Sequence, residues 1–434
     1  MASEQSPIVV WFRRDLRLDD HPALSTAVAT GRPIVPLLVI DAVLGASPTI
    51  GPRRWQRFEA AVGALDRDLR RVGGRLILRR GDPRAVVPAV VREVGADEVY
   101  ATRDLTPYAL RRDEQVRSGT RLRLFDGGLV VEPEATGPVR IFTPFHRRWI
   151  AVARTEPVAS PTSIDVPDWI PSEAIPIEAP DGGPEALRRL QGFARGAAAM
   201  YEADRHRLDL DGTSSLSADF HFGTLSAKRA VSAIASPAFA RQLAWRDWAH
   251  HLLWYEHMAP APTTDRGGEV DWLDDPVGVA AWREGRTGYP TVDAAMRQLS
   301  ATGTMHNRAR MIVGSFLTKD LLVDWRVGEA HFLKHLIDAD VANNRLGWRW
   351  VSGAGPDAAP FIRVLNPSLQ GERFDPSGTW TRRWVPEVAH LPDAIVHRPW
   401  LAAGGSSVGY PPPIVDHLAA RERAIRAFAA RRRS

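Results

Sequence analysis

The segment Ile8–Phe12, which reads Ile-Val-Val-Trp-Phe, is a short apolar run that ends abruptly at the charged stretch Arg13–Asp15. A run of this length, rich in β-branched and aromatic residues and bounded by charges, is typical of a buried β-strand. Similar apolar runs follow along the chain, at Ile34–Ile40, Leu76–Leu78 and Glu98–Tyr100. The first 130 residues therefore contain at least four candidate strands.

Helical patterns separate these strands. Arg54–Val72 and Pro83–Val94 both have helical spacing, and Asp82 before Pro83 is a good helix start because its carboxylate accepts from the first free amides. Strands that alternate with helices predict an α/β domain with a doubly wound parallel sheet over residues 7–130. This region has neither a Gly-x-Gly-x-x-Gly fingerprint nor a P-loop, so the usual dinucleotide and nucleotide-phosphate sites lack support.

The rest of the chain has a different character. Residues 151–185 contain seven prolines and little periodicity, whereas helical spacing prevails from about Pro184 onward. We therefore expect an interdomain connector over 131–185 and a larger all-α domain over 186–434.

Composition excludes several classes of protein. The 434 residues include no cysteine, which rules out disulfides, thiolate zinc sites, iron–sulfur clusters and cysteine nucleophiles. The sequence has no apolar run of the roughly 20 residues that a membrane span needs, and it begins without a visible signal peptide. We therefore expect a soluble cytoplasmic protein that has no membrane contact.

Charge and aromatic content are more informative. The formal net charge is +5, and the last 14 residues account for it with six arginines and one glutamate, so any affinity for nucleic acid must come from a local patch. The chain has 15 tryptophans but only 6 tyrosines, and most of the tryptophans lie after residue 244. This excess indicates either packing or a function that uses indole rings.

Four groups of residues could carry chemistry. The hydroxyl-rich loop Asp211–Ser217 precedes a helical stretch and suits a phosphate, although a plain capping loop is the simpler explanation of this segment alone. Gln242, Trp245 and Arg246 share one face of a helix and could bind a flat ring. The remaining two groups are His306–Met311, in which Asn307, Arg310 and Met311 share a face, and the polar cluster Asp338, Asp340, Asn343 and Asn344.

Several histidines have spacings that resemble metal sites. His250 and His251 are adjacent, and His331 and His335 lie four residues apart, but neither pair has an evident third ligand. We expect no metal site here, and solvated or capped histidines instead. Taken together, the residues predict a protein that binds something flat and phosphorylated.

These segments resemble the DNA photolyase/cryptochrome family, most closely the microbial class I cyclobutane pyrimidine dimer photolyases. The resemblance begins at Val10–Arg17 and Asp19–Leu24 and extends in order to about residue 415. Further matching motifs are Asp211–Ser214, Trp245–Asp247, Gly288–Arg297, Met305–Arg308, Ala342–Asn344 and Asn366–Gly371. Many motifs in register over nearly the whole chain make the resemblance specific.

The resemblance implies an antenna chromophore in the α/β domain and FAD in the helical domain. In the family pattern the loop cradles the FAD phosphates, Arg310 pairs with Asp338, and Asn344 faces the N5 edge of the flavin. The residues implied as cofactor-binding are Tyr201, Thr213, Ser214, Ser215, Leu216, Ser217, Arg246, Arg310, Asp338, Asp340 and Asn344. Tyr108 and Arg111–Asp113 resemble the antenna region, which leaves a deazaflavin, a folate or an empty site open.

Three tryptophans match the electron-transfer chain of the family: Trp348, Trp325 and Trp272. The resemblance further implies damaged DNA as the partner, no protein partner, and a monomer. Light-excited reduced FAD would donate an electron to a cyclobutane dimer that has been flipped out of the duplex. The residues implied at the dimer are Gln242, Trp245, Asn307, Met311 and Trp350, with Arg308 on a neighbouring phosphate.

Two positions depart from the family pattern. Position 242 is Gln where many dimer photolyases have Glu, and position 304 is Thr where the family usually has Trp. Gln242 is common in cryptochromes and six–four photolyases, but Asn307 fits dimer photolyases, and the short tail after residue 415 is unlike the long tails of many signalling cryptochromes. We therefore expect a deoxyribodipyrimidine photo-lyase, with a cryptochrome-type photoreceptor or a six–four photolyase as alternatives.

Overall fold

The computed structural model describes residues 6–175, 181–258, 270–356, 362–402 and 409–431. The chain divides into two compact units. The first unit comprises Met1–Ala199 and Ser214–Pro260, and the second comprises Met200–Thr213 and Ala261–Ser434. The domain limits expected from the sequence, at residues 130 and 185, stay a prediction.

The first unit contains a five-stranded sheet whose strand pairs are all parallel. The strand order is β3-β2-β1-β4-β5, so the chain moves outward in one direction and then in the other, as a doubly wound sheet requires. The strands are β1 (Ile8–Phe12), β2 (Ile34–Asp41), β3 (Ile77–Gly81), β4 (Glu98–Thr102) and β5 (Leu122–Phe125). The predicted fold class is confirmed.

Strand β1 lies in the middle of the sheet and contributes side chains to the apolar cores on both of its faces. Its five residues are all buried. Ile8, Val10 and Phe12 pack into the cluster on one face of the sheet, whereas Val9 and Trp11 pack into the cluster on the other. This alternation follows from the two-residue period of a strand, and burial on both faces explains why the segment is continuously apolar.

The described residues before position 259 form twelve α-helices. Of these, α9 belongs to the second unit, and the others pack in the first. They are α1 (Pro22–Ala29), α2 (Ala42–Gly45), α3 (Pro52–Arg71), α4 (Pro83–Val94), α5 (Pro107–Gly119), α6 (Pro133–Thr136), α7 (Phe142–Ala151), α8 (Gly183–Arg195), α9 (Tyr201–Asp204), α10 (Ser217–Phe222), α11 (Ala227–Ala233) and α12 (Pro237–Met258).

Local signals place both ends of α4 as predicted, whereas α3 begins earlier. The Asp82 side chain accepts from the Arg84 amide at 2.9 Å, and Pro83 is the first residue of α4. Gly95 ends the same helix with φ 66°, a conformation that costs glycine little. Helix α3 begins at Pro52, two residues before the start expected from the apolar spacing, because proline is favoured in the first helical turn.

Residues 152–175, within the predicted connector, form no helix or strand, and they lie against the first unit. The amide of Ile164 donates to the Val72 carbonyl at 2.8 Å, and the amide of Glu173 donates to Leu78 at 3.0 Å. Ile164 and Ile170 are buried. This part of the connector is therefore held in place by backbone hydrogen bonds and two apolar anchors.

The second unit is helical throughout its described regular structure, as the sequence predicts. Its remaining α-helices are α13 (Pro276–Glu284), α14 (Pro290–Thr302), α15 (Asn307–Ser315), α16 (Trp325–His335), α17 (Val341–Ser352), α18 (Pro367–Phe374), α19 (Thr379–Trp384) and α20 (His417–Arg431). Their apolar faces share one large core, to which Met296, Phe316 and Trp348 contribute. Across the described ranges, no helix combines the length and apolarity that a membrane span needs.

An irregular turn interrupts the second unit between α15 and α16. Phe316–Asp320 forms a π-helical turn, and Leu322 then adopts φ 55°, a left-handed conformation that is unfavourable for leucine. Leu322 is nevertheless buried, and its carbonyl accepts from the Leu273 amide at 2.8 Å. Packing therefore holds a strained backbone just before Trp325, the first residue of α16.

Candidate functional site

Helix α12 carries the predicted face of Gln242, Trp245 and Arg246, and each of the three is partly exposed. The indole of Trp245 stacks on Phe142 with ring centroids 3.7 Å apart and planes 13° apart. Arg246 donates through Nη1 to the Gly128 carbonyl at 3.0 Å. The face therefore presents a supported aromatic ring beside an amide and a cation.

Asp247, the next residue of α12, is fully buried. Its Oδ2 accepts from the amides of Val130 and Val131, both at 3.0 Å, and from Trp149 Nε1 at 2.8 Å. Burial raises the pKa of this carboxyl, although these donors oppose the effect. Asp247 thus joins three segments of the first unit, a role that the sequence analysis did not assign.

The sequence predicts that the histidines of α12 are either solvated or capped. His250 and His251 are buried, which leaves out the solvated alternative. The Nδ1 of His251 lies 3.0 Å from Thr136 Oγ1 and its Nε2 lies 2.9 Å from the Val131 carbonyl, while burial lowers its pKa to about 4. A neutral buried imidazole at this place stabilises the packing of α12, because both ring nitrogens have protein partners.

The predicted phosphate loop spans the two units. Thr213 ends the first segment of the second unit, whereas Ser214–Ser217 belongs to the first unit. Ser215 and Ser217 are exposed, and Ser215 has a left-handed φ of 52°. Helix α10 begins at Ser217 without a side-chain cap from Leu216, which leaves its first amides available to an acceptor.

Two carboxylates of the second unit have different partners. Arg310 Nη2 donates to both oxygens of Asp338, at 2.7 and 3.0 Å, and its Nε donates to the Met305 carbonyl at 2.9 Å. Asp340 instead caps α17 by accepting from the Asn343 amide at 2.9 Å. The pairing of Arg310 with Asp338 is therefore present, and it joins α15 to the segment before α17.

Asn344, on the first turn of α17, has a defined amide orientation. Its Nδ2 donates to the Glu329 carbonyl at 3.0 Å, which leaves the side-chain oxygen as the acceptor. Trp348 lies one turn later on the same helix face and is buried. Within the described ranges its Nε1 has no hydrogen-bond partner.

Helix α15 presents the predicted residues Asn307 and Met311, the first exposed and the second half-buried. Arg308 lies with its guanidinium carbon 4.3 Å from the Phe374 ring centre, and its Nη2 is 3.1 Å from His206 Nδ1. Burial and the charge of Arg308 lower the pKa of His206 to about 4. Cationic guanidinium groups prevail around this imidazole, an arrangement that attracts phosphate.

The three tryptophans of the expected electron-transfer chain belong to one apolar cluster. Trp348 and Trp325 are buried, and Trp272 is half-buried against Phe428 of α20, with ring centroids 5.9 Å apart. Trp350, expected at the dimer, is half-buried on α17. Burial that decreases toward Trp272 suits a relay that ends near solvent.

The sequence analysis missed the residues that surround Trp348. Phe332 and Trp282 pack edge-on against its indole, with centroids at 5.0 and 6.3 Å. A Cβ at Gly328 would lie 2.0 Å from the indole Cη2, so only glycine leaves room for the ring. A glycine inside a helical pattern is a weak signal for such close approach, but it names no partner.

Two further positions that the sequence analysis singled out are Tyr201 and Thr304. Tyr201 is buried at the start of α9, with the Arg205 guanidinium 5.8 Å from its ring centre. Thr304, where the family pattern has Trp, is exposed and shares a 2.8 Å hydrogen bond with Thr302. Thr304 therefore supplies no aromatic surface.

The carboxyl end of β1 carries a separate polar cluster. The guanidinium groups of Arg13 and Arg112 lie 4.7 and 4.8 Å from the Trp11 ring centre, and Asp113 binds both at 2.6 and 2.8 Å. Tyr108 donates to Asp41. This place is the switch point between β1 and β4, where open parallel sheets bind ligands.

Residues of the second unit fit a flavin ring. The ion pair of Arg310 and Asp338 supplies a fixed hydrogen-bonding edge, and the Asn344 oxygen can accept from a ring N–H. In the first unit, the hydroxyls of Ser214–Ser217 and the first amides of α10 by themselves suit a phosphate. Across the described ranges, no group of three or more acidic or imidazole side chains could hold a metal ion.

Comparison with known proteins agrees with this assignment. Residues 8–163 match the family model described as DNA photolyase, and residues 239–430 match the FAD binding domain of DNA photolyase. The deoxyribodipyrimidine photo-lyase of Streptomyces griseus is 41% identical, with 97% of this chain and 99% of that protein covered.

Two solved structures are also similar. A class III photolyase from Agrobacterium tumefaciens has a TM-score of 0.91 at 36% identity, with 100% of this chain and 99% of that chain covered. A cryptochrome from Synechocystis has a TM-score of 0.89 at 28% identity, with 98% and 100% covered.

Proposed function

This chain belongs to the DNA photolyase family, and from that premise we propose that it is a light-driven enzyme that splits cyclobutane pyrimidine dimers in DNA. The observation that carries the proposal is the double use of α15. One helix presents Asn307 and the cation Arg308, which suit a damaged base and a phosphate, and also Arg310, which pairs with Asp338. DNA-recognising and cofactor-holding residues are thus adjacent on one rigid element.

The residues proposed to hold FAD act in three ways. Loop amides and hydroxyls bind the phosphates, Arg310 and Asp338 bind the flavin edge, and Asn344 accepts from the ring. Reduced FAD, when bound, supplies on illumination the electron that opens the cyclobutane ring and recovers it afterwards. The protein's own part is to orient the two reactants and to exclude water.

The residues proposed at the dimer are Gln242, Trp245, Asn307, Met311 and Trp350. Trp245 offers a flat apolar surface for stacking, and the amides of Gln242 and Asn307 can donate and accept at the pyrimidine edges. Arg308 neutralises a neighbouring phosphate. Affinity should therefore fall as salt rises, because the released counterions favour binding at low salt.

The tryptophans Trp348, Trp325 and Trp272 are proposed to carry electrons from the surface to oxidised flavin. Trp348 and Trp325 are both buried whereas Trp272 is half-buried, which supports Trp272 as the solvent end. We further propose that the protein acts as a monomer on damaged DNA in the cytoplasm. The cluster of Trp11, Arg13, Arg112 and Asp113 is the proposed place for an antenna chromophore.

One observation favours a second candidate, a flavin photoreceptor without repair activity. Gln242 offers an amide where a carboxylate could share a proton with the reduced dimer. The structural similarity to a cryptochrome agrees with this alternative but does not distinguish it, since a photolyase is equally similar.

The deciding experiment uses purified protein with chemically reduced flavin and oligonucleotides that contain one cyclobutane thymine dimer. We expect the dimer to disappear under blue light and to persist in the dark. A parallel oligonucleotide with a six–four photoproduct should remain unchanged. If the dimer persists under light while the oxidised flavin photoreduces normally, the protein is a receptor and the repair proposal is wrong.

A further inference from the structure

The indole of Trp245 has one covered face. Phe142 lies parallel to it at 3.7 Å between ring centroids, and Trp248 meets it edge-on at 5.2 Å with planes 78° apart. A ring stacked at this distance leaves no space for a second ring on the same side. Because Trp245 is still partly exposed, an incoming base can stack only on the opposite face.

Phe142 is itself fixed by its neighbours. Its side chain is 2% exposed. His146, one turn later on α7, stacks on it at 5.5 Å with planes 20° apart, and Trp248 packs edge-on at 5.6 Å. Rotation of the Phe142 ring away from Trp245 would break both contacts.

Two hydrogen bonds hold α7 against α12 in addition to these ring contacts. Trp248 Nε1 donates to the Val139 carbonyl at 2.8 Å, just before α7, and Trp149 Nε1 near its end donates to Asp247 at 2.8 Å. These two bonds flank Phe142 along the chain. They therefore set the position of Phe142 relative to the helix that carries Trp245.

We propose that Phe142 is a positioning residue for lesion recognition, which fixes the plane of the Trp245 indole and selects the face that receives the flipped-out dimer. The inference rests on the proposed role of Trp245 in repair. Without the Phe142 ring, the Trp245 indole gains rotational freedom, which is lost again when a dimer stacks on it. This loss of entropy weakens binding of the dimer duplex and does not affect binding of undamaged DNA. Contacts with DNA phosphates do not involve the stack and keep their strength.

The test compares Phe142→Leu with Phe145→Leu. Phe145 is a matched control because it lies on the same helix, is fully buried, and packs edge-on against His251 at 5.1 Å. The measured quantity is the Kd of the flavin-loaded protein in the dark for a dimer-containing duplex and for the undamaged duplex of the same length. Flavin content and Tm are measured for every variant.

For Phe142→Leu we expect the Kd for the dimer duplex to rise about three- to tenfold, the value of one aromatic pair, while the Kd for undamaged DNA stays the same. Phe145→Leu should leave the ratio of the two Kd values unchanged even if it lowers Tm. In a Trp245→Leu background, Phe142→Leu should change the ratio no further. If the leucine variant does not fold, Phe142→Met takes its place. This variant keeps most of the buried volume but lacks the aromatic ring, so we expect the same change in the ratio of the two Kd values.

Three results separate the possibilities. The positioning role is overturned if Phe142→Leu leaves the ratio of the two Kd values unchanged. It is also overturned if Phe142→Leu and Phe145→Leu change that ratio by the same factor. Either result leaves the repair proposal intact. A wild-type protein that binds both duplexes equally overturns the repair proposal itself, and the inference falls with it.

Discussion

The substitution Gly328→Ala adds a methyl group where the indole of Trp348 lies. A Cβ at Gly328 would be 2.0 Å from Cη2, 2.4 Å from Cζ3 and 2.5 Å from Cζ2 of that ring. Carbon atoms in contact normally lie about 3.5–4.0 Å apart. The ring or helix α16 must therefore move by about 1.5 Å or more to restore ordinary contacts.

The expected stability change has two parts. Overpacking of a well-packed core costs about 1–3 kcal/mol, whereas replacing a glycine inside a helix by alanine gains about 0.5–1 kcal/mol. At the middle of both ranges the net loss is about 1 kcal/mol, which lowers the Tm of a unit of this size by about 2–4 °C. If the proposed relay operates, displacement of Trp348 should also slow the photoreduction of oxidised flavin, because Trp348 is the ring proposed to lie beside the flavin.

A matched control isolates the clash from the change in helix propensity. Gly347 lies on α17 in open space, with no atom within 4 Å of an added Cβ. Gly347→Ala should therefore raise Tm slightly and leave photoreduction unchanged. The assay combines thermal unfolding with the initial rate of flavin reduction under blue light and an external thiol. If both alanine variants behave alike, the reasoning about Trp348 is refuted.

Three further predictions concern the relay, the DNA surface and pH. Trp325→Phe should abolish photoreduction but spare repair by chemically reduced enzyme, whereas loss of both activities would mean that the indole is structural. Arg308→Ala should weaken binding of damaged and undamaged duplexes alike and reduce the slope of log K against log salt by about 1, and an unchanged slope would place Arg308 away from phosphate. Burial and the charge of Arg310 lower the pKa of His306 to about 4 in the folded protein. In the unfolded chain the histidine has a pKa of about 6.5, so as pH falls the unfolded state binds the proton first. The free energy of unfolding should therefore decrease between about pH 6.5 and pH 4. His306→Asn keeps an N-cap acceptor for the Arg308 amide and should make urea unfolding less dependent on pH in this range; an equal dependence would contradict the assignment.

The sheet could be predicted from the sequence because its strands are buried on both faces. Ile8–Phe12 is continuously apolar, and each residue has a core to enter. Helix α4 was equally plain, since Asp82, Pro83 and Gly95 mark its ends through local backbone chemistry. The strand order needed the tertiary structure, because pairing joins segments that are distant along the chain.

The site was predictable where a motif lies on one helix. Gln242, Trp245 and Arg246 share a face of α12, as helical spacing requires. The pairing of Arg310 with Asp338 followed from the family resemblance, and the structure contains it. The sequence could not decide between a solvated and a hydrogen-bonded His251, because its partners, Thr136 and Val131, lie more than a hundred residues away.

The sequence by itself determined the alternation of strands and helices, the helix ends and the family, because these depend on short-range periodicity and on motifs in order. Only the tertiary structure decided which ring supports Trp245, which glycine makes room for Trp348, and which carboxylate of α12 is buried. These contacts are made by side chains that are far apart along the chain and meet only when the helices pack. Local sequence patterns do not predict such long-range contacts, because packing depends on the shape and volume of the whole core.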